Sequence, residues 1–181
     1  AIATGYYYLK QHSLMHYSKY AYPLAFIAVL ICFFSLSPRN DRIWQYETEK
    51  IIQFKFTDGK IEIQNVRNFI WRTKDDYDVN WETRRYDIEK LESIDLIVSH
   101  FMKGPVAHVF ISFGFEDGEH LAFSLEVRQE HDEGFSTIGG FFRQYELAMV
   151  VGDEHDLIYS RTNAKDEDVY IYPIKMNQTE I

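Results

Sequence analysis

An uncharged run of 16 residues, Ala21 to Leu36, lies near the start of the chain. A membrane-spanning helix needs about 20 apolar residues, and the run approaches that length when Tyr20 and Ser37 are included. A helix packed on a soluble core should alternate apolar with polar positions, and this run does not. We therefore predict a transmembrane helix over residues 20–38. A buried core helix and the apolar part of a signal peptide are the alternatives.

Charge divides the chain at the same place. The chain has 19 basic and 28 acidic residues, for a net charge of -9, yet residues 1–38 contain only Lys10 and Lys19 and no acid. The part after Pro38 therefore holds 17 basic and all 28 acidic residues. Such an acidic body excludes nucleic acid as an expected partner, because phosphate binding depends on clustered Lys and Arg.

Composition indicates a folded body. With 46% hydrophobic and 17% aromatic residues, the chain is far from a disordered composition. We predict three segments: an N-terminal segment (1–19), the transmembrane helix (20–38) and a β-rich domain (39–181). The chain begins with Ala1 rather than Met, so we expect the first segment to be cut short.

Metal and redox motifs are missing from the sequence. The one cysteine, Cys32, excludes an internal disulfide and any CxxC motif. The histidines of the body do not show HExxH spacing, so we predict neither a metal nor a cofactor. These histidines are His100, His108, His120, His131 and His155.

After Pro38 the sequence changes to short alternating apolar stretches separated by turn residues. At least six strands and no long amphipathic helix predict a largely antiparallel sheet. A polar stretch, 72–81, precedes a short helix or turn at 88–91. The predicted strands are 51–56, 60–66, 95–101, 106–115, 121–127, 146–151 and 169–174.

One hairpin can be predicted in register. A three-residue loop, Glu116 to Gly118, with Gly118 in the left-handed conformation, pairs residues whose numbers add to 234. The apolar rows of both strands then lie on one face, whereas a two-residue loop would mix the faces. The chosen register places His108 opposite Glu126.

A histidine opposite a carboxylate has two interpretations. The carboxylate can bind one imidazole nitrogen, fix the tautomer and leave the other nitrogen as a general base. The alternative is an ordinary cross-strand ion pair with a small effect on stability. The two residues share a face with both serines and apolar residues, namely Phe110, Ser112, Ala122 and Ser124.

A nucleophile for this pair is not found in the sequence. Cys32 lies in the apolar run, and no GxSxG elbow occurs. Ser124 is expected diagonally from His108 at about 7–8 Å, too far for direct activation. Ser112 is expected about 13 Å along the strand, and Ser99 lies on a different stretch. Each serine is interpreted as a structural strand or turn residue.

At these residues the sequence resembles a known family, the Lnb N-terminal periplasmic domain family, which is related to lipoprotein N-acyltransferases. The resemblance covers most of residues 37–174. It is carried by SPRNDRIWQ (37–45), IQNVRNFIWRT (63–73), WETRRYD (81–87), DLIVSHF (95–101), AHVFISFGFEDGEHLAFSLEVRQE (107–130), GGFFRQYEL (139–147) and DEHDLIYSRTN (153–163).

The resemblance implies an α+β fold: the mainly antiparallel β-sheet of a permuted papain-like (NlpC/P60-type) domain preceded by one transmembrane helix. In that pattern the catalytic histidine falls on His108 and the acidic residue on Glu126. The cysteine is expected in an Asn-Cys segment beyond Ile181, so the resemblance implies that the domain is also cut short at its C-terminal end. It further implies a bacterial inner-membrane protein whose globular part faces the periplasm.

The family resemblance and the His108–Glu126 pair together predict an enzyme. The complete protein is predicted to be a thiol-dependent acyltransferase or hydrolase, with a membrane lipid and a lipoprotein as its partners, while this fragment alone is expected to be inactive. A non-catalytic, membrane-tethered domain that binds an envelope partner is the alternative. An amidase or peptidase on the same scaffold is a third interpretation.

Overall fold

The computed structural model describes the backbone of residues 2–175, together with their side chains apart from residues 2–16, Ser18 and Thr137. The outermost residues of the predicted first and last segments, 1 and 176–181, lie outside the described part. The chain forms two compact units. Residues 1–42 and 135–144 form one, and residues 43–134 and 145–181 form the other.

The first unit is helical. Helix α1 runs from Ile2 to Ser35, and the short helix α2 runs from Thr137 to Phe141 with the Ser136 hydroxyl accepting a hydrogen bond from the Gly139 N–H as its N-cap. Residues 20–35 of the predicted transmembrane helix lie within α1, which begins much earlier, at Ile2. Its assignment as a membrane span is not supported, because no helix in the described part of the chain is long and apolar enough to cross a membrane.

The second unit is a mainly antiparallel sheet with small helical segments, so the α+β class is confirmed, whereas the permuted papain-like topology stays a prediction. The hydrogen-bonded strand order is β1-β2-β9-β8-β7-β6-β10, and β5 pairs with β2. Strands β3 and β4 form a separate two-stranded sheet. The strands are β1 (Gln53–Thr57), β2 (Lys60–Arg67), β3 (Ile70–Thr73), β4 (Asp76–Asp78), β5 (Trp81–Asp87), β6 (Leu91–His100), β7 (His108–Phe115), β8 (His120–Arg128), β9 (Glu146–Gly152) and β10 (Asp168–Pro173).

The helical segments of this unit are short. Two 3-10 turns cover Tyr46–Thr48 and Ile88–Lys90, and the second confirms the turn predicted at 88–91. Helix α3 covers Glu154–Tyr159 and continues without a break into a π-helical turn, Ser160–Ala164. The sequence did not predict α3, the π-helical turn, the β3–β4 hairpin or β5.

The predicted register of the β7–β8 hairpin is confirmed. Ser112 pairs with Ala122 and Phe113 with Leu121, as the sum of 234 requires. Gly118 has a φ of +83°, and its N–H donates to the Phe115 carbonyl, so it takes the left-handed position of a three-residue loop.

Each face of the sheet carries its own hydrophobic core, and α3 packs on only one of the two. One face carries a core that includes Phe110, Ala122 and Val150, and Leu157 of α3 packs on it. The opposite face carries a second core around Leu121 and Val151. The mixed face that contains His108 is therefore the one that α3 covers.

Candidate active site

His108 begins β7 and lies between two strands that each bring a serine toward it. It pairs with Ser99 of β6 in the antiparallel ladder. On the other side, Ser124 of β8 places its Oγ 2.7 Å from His108 Nε2. Both serines are fully buried, while the His108 side chain keeps 20% of its surface exposed. The histidine is therefore the member of this group that a substrate can reach.

Glu126 lies two residues after Ser124 on the same face of β8. Its Oε1 is 3.4 Å from His108 Nε2, so the structure brings the predicted pair together. The shorter path runs through the serine, because Ser124 Oγ donates to Glu126 Oε1 at 2.6 Å. The pairing of β7 with β8 extends only from Ile111 and Phe123 to the loop. Outside that ladder the His108 side chain reaches Ser124 directly, so the expectation that Ser124 is too distant was wrong.

The direction of each hydrogen bond follows from the charge of Glu126. Burial raises the pKa of this carboxyl, but the His108 ring 3.4 Å away, the charge of Arg161 and the Ser124 hydroxyl together outweigh burial and hold the pKa well below its usual range. An ionised carboxylate only accepts, so Ser124 must donate its single hydrogen to Glu126. The hydroxyl then accepts from His108 Nε2–H. This relay leaves Nδ1 as the unprotonated nitrogen of a neutral imidazole.

A buried arginine completes the group. Arg161, in the π-helical turn, donates from Nη2 to Glu126 Oε1 at 2.7 Å and from Nη1 to Glu167 Oε2 at 3.2 Å. Glu167 also accepts from the Ser99 hydroxyl at 2.5 Å. The guanidinium lies 5.5 Å from the centre of the Phe110 ring. Arg161 therefore joins the carboxylate behind His108 to a second carboxylate beside β6.

The site residues outside the hairpin were not predicted from the sequence. Ser99 was set aside because it lies on a different stretch, but β6 pairs directly with β7 and places it opposite His108. Arg161 lies in DEHDLIYSRTN, which carried part of the family resemblance without a residue role. The only sign of this ion pair in the sequence is that Glu167 follows Arg161 by six positions. No spacing rule predicts that two residues six positions apart form a contact.

Helix α3, which leads into Arg161, is anchored by a second buried ion pair. Asp156 is fully buried and accepts from Arg67 Nε at 2.9 Å and Nη2 at 3.0 Å. It also accepts from the Phe69 N–H at 2.8 Å and from Trp71 Nε1 at 2.7 Å. These four bonds fix the start of α3 to β2 and β3, and so determine where the π-helical turn begins.

The other serine and histidine candidates do not join the site. Ser112 is fully buried, and its hydroxyl has no partner among the described residues. His120 lies at the far end of the hairpin, 3.4 Å from Glu154, beside a groove of about 520 Å³. No group of three or more His, Cys, Asp or Glu among the described side chains could hold a metal ion. Cys32 lies in α1, in the first unit, and is exposed.

The fold and the site define a class of protein: an antiparallel-sheet domain with a histidine, a serine and a carboxylate in a relay across adjacent strands. The family model of the Lnb N-terminal periplasmic domain matches residues 77–181, more than half of the chain, and the chain belongs to that family. The match includes His108, Ser124, Glu126 and Arg161. Membership indicates a periplasmic location for this domain.

The family match covers only part of the stretches that carried the resemblance. SPRNDRIWQ and IQNVRNFIWRT lie before residue 77, and the later stretches lie within the match. No curated protein and no solved structure matches the chain. The residues of the relay, from His108 to Glu126, all lie within the matched range 77–181.

Proposed function

We propose that this domain supplies the base and its orienting acid to a thiol-dependent acyltransferase of the bacterial envelope. The relay from His108 through Ser124 to Glu126 carries the proposal, because it directs Nε2–H inward and leaves Nδ1 for a reacting group. The thiol comes from the same protein beyond Ile181, as the family resemblance implies. Ser124 is not the nucleophile, since it is fully buried and its hydrogen is donated to Glu126.

The chemistry assigns one role to each group. His108 Nδ1 takes the thiol proton, and the thiolate attacks the carbonyl carbon of an acyl ester. The carbon–oxygen bond breaks, and the imidazolium returns the proton to the leaving alkoxide. An amine then attacks the thioester, the carbon–sulfur bond breaks, and the proton of the amine returns to the sulfur through His108. Glu126 stabilises the imidazolium that forms twice in this cycle.

A membrane phospholipid is the proposed acyl donor and a lipoprotein amine the proposed acceptor. The periplasmic location supports this choice, because both molecules occur in the bacterial envelope. Hydrolysis by the same groups differs only in the acceptor, which is then water. Analysis of lipid and peptide products distinguishes an acyltransferase from an amidase or peptidase.

Labelling of the cysteine in the full-length protein by an acyl-type probe tests the proposal. We expect His108→Ala to abolish labelling, because the thiol loses its base. His120→Ala is the matched control, since His120 also lies on this sheet, 3.4 Å from a glutamate, but outside the relay. Labelling that survives His108→Ala, or that His120→Ala abolishes equally, would contradict the proposal.

A second candidate function rests on a different surface. On the face opposite His108, apolar side chains of three adjacent strands are exposed to solvent: Val109, Ile111, Leu125, Val127, Leu147 and Met149. Exposed apolar patches of this kind mark interaction surfaces. A non-catalytic domain that binds an envelope partner through this face predicts that Leu147→Ser reduces binding while His108→Ala has no effect on it. Crosslinking in the periplasm measures both variants.

A further inference from the structure

We propose that Arg161 is a positioning residue of the His108 relay. It donates a hydrogen bond to Glu126, the carboxylate at the end of the relay, and acts on His108 through that carboxylate. The inference rests on the proposed function, because positioning matters only if His108 is a base. Three observations carry it: the two-sided hydrogen bonding of the guanidinium, its burial, and the π-helical turn that presents it.

The guanidinium joins two carboxylates that come from different parts of the chain. Nη2 binds Glu126 on β8, and Nη1 binds Glu167, which precedes β10. Only 9% of each of the Arg161 and Glu167 side chains is exposed. The Arg161 cation binds both carboxylates, and its charge helps to hold the pKa of Glu126 below its usual range. The planar fork of arginine fixes both bond directions at once, which a lysine ammonium does not.

Glu167 extends the support to the other side of His108. It accepts from the hydroxyl of Ser99, and Ser99 pairs with His108 in the β6–β7 ladder. Hydrogen bonds therefore lead from β8 through Arg161 to β6, the two strands that flank β7. A displacement of Glu126 along β8 would have to break this connection. The position of the acceptor behind His108 is thereby coupled to both neighbouring strands.

The backbone at Arg161 is specialised. Ser160–Ala164 form a π-helical turn directly after α3. Such turns are rare and occur frequently at functional sites, where the wider coil redirects a side chain. The start of α3 is fixed by Asp156 and Arg67, so the turn begins at a defined place. Arg161 is thus presented from a helical segment whose preceding helix is anchored to the sheet by the Arg67–Asp156 pair.

The spectroscopic test is the tautomer of His108 in the 181-residue chain. Long-range nitrogen–proton NMR of the imidazole should show the Nε2–H tautomer in the wild type. In Arg161→Gln we expect a mixture of tautomers, because Glu126 is no longer held in place. Arg161→Lys should resemble Arg161→Gln, since one ammonium does not reproduce both fork contacts. A wild-type tautomer in both variants would overturn the proposal.

The functional test uses cysteine labelling in the full-length protein. Loss of an outer-shell partner of a metal-ligating histidine typically costs about 10- to 100-fold in activity, and by analogy we expect a decrease of similar size for both Arg161 variants. If His108→Ala leaves labelling intact, the proposed function fails whatever Arg161 does. If His108→Ala abolishes labelling but Arg161→Lys matches the wild type, only the positioning role fails.

A further variant covers the case in which Arg161→Gln does not fold. Glu167→Gln keeps the bond between Arg161 and Glu126 but weakens the second anchor. We expect a partial loss of the Nε2–H tautomer and a decrease in labelling smaller than that of Arg161→Lys. A wild-type tautomer together with wild-type labelling in Glu167→Gln would contradict the coupling between the two carboxylates.

Discussion

Two residues on one helical segment, Asp156 and Arg161, each form an ion pair with the sheet. The two pairs differ in how exposed the carboxylate is and in which groups its hydrogen bonds connect. Asp156, in α3, pairs with Arg67, and the aspartate is fully buried. Arg161, in the π-helical turn, pairs with Glu126, whose side chain is 21% exposed. The first pair joins the helix to β2 and β3, and the second joins it to β8.

The difference lies in how the acceptors are used. Asp156 accepts four hydrogen bonds from Arg67, Phe69 and Trp71, and a carboxylate has about four acceptor sites. Asp156 therefore has no acceptor site left for another donor. Glu126 instead accepts through Oε1 from Arg161 and Ser124, and the serine binds a histidine whose Nδ1 has no hydrogen-bond partner among the described residues. A saturated pair serves stability, whereas a pair that ends in an incompletely bonded imidazole can serve chemistry.

The largest loss of stability is expected at the saturated pair. Asp156→Asn places an amide N–H against donors and leaves the Arg67 charge buried, so we expect a loss of about 3–5 kcal/mol in the free energy of unfolding. Chemical denaturation measures it. Asp76→Asn is the control, because the Arg72–Asp76 pair is solvent-exposed and should change stability little. Equal losses in both variants would contradict the assignment of Asp156 as the anchor.

A smaller loss with a characteristic pH dependence is expected at Glu126. Glu126→Gln should cost about 1–3 kcal/mol at neutral pH, because Arg161 loses an ionised partner. Burial raises the pKa of this carboxyl, but His108, Arg161 and Ser124 lower it by a larger amount, so the pKa in the folded protein lies below the usual 4.5. The stabilisation is therefore present above about pH 4.5 and is lost as the pH falls below it. Denaturation of both proteins at several pH values measures the difference, which should shrink in acid; a constant difference would sink this account.

The hairpin and half of the site could be predicted from the sequence, because they depend on local rules. The loop Glu116 to Gly118 has only one length that keeps the apolar rows together, and that register, extended past the end of the ladder at Ile111 and Phe123, sets His108 opposite Glu126. The strand boundaries also followed from alternation to within a few residues. Strands β3 and β4 were missed because their charged residues, such as Arg72 and Asp76, bind one another on an exposed surface.

The other half of the site depends on contacts distant in sequence. Arg161 and Glu126 are 35 residues apart, and Arg67 and Asp156 are 89 apart. The periodicity of apolar residues within one strand or helix cannot predict contacts between residues so far apart in sequence. Ser124 was misjudged for another reason: strand spacing gives backbone distances, but side chains beyond the end of a ladder can approach closely.

Ser124 offers a comparison between two buried hydroxyls of adjacent strands. Ser124→Ala should cost about 0.5–1.5 kcal/mol, since it removes the hydrogen bonds of the hydroxyl to His108 and Glu126, while Glu126 Oε1 remains near His108 Nε2 to accept from the ring. Ser112→Ala is the matched control, because the Ser112 hydroxyl is equally buried but has no partner among the described residues. It should be neutral or stabilising. Denaturation of both variants decides, and equal losses would show that Ser124 contributes packing rather than a relay.

The smallest effect on stability is expected at the residue with the largest proposed chemical role. Glutamine can place an N–H where His108 Nε2–H donates to Ser124, so His108→Gln keeps the inward bond and removes the Nδ1 base. We expect a change below about 1 kcal/mol, the range of a cross-strand pair, together with loss of cysteine labelling in the full-length protein. Thermal or chemical denaturation checks the first expectation, and the acyl-type probe checks the second. If His108→Gln destabilises the fold as much as Asp156→Asn does, the histidine is a second anchor, and the distinction between a saturated and an open pair fails.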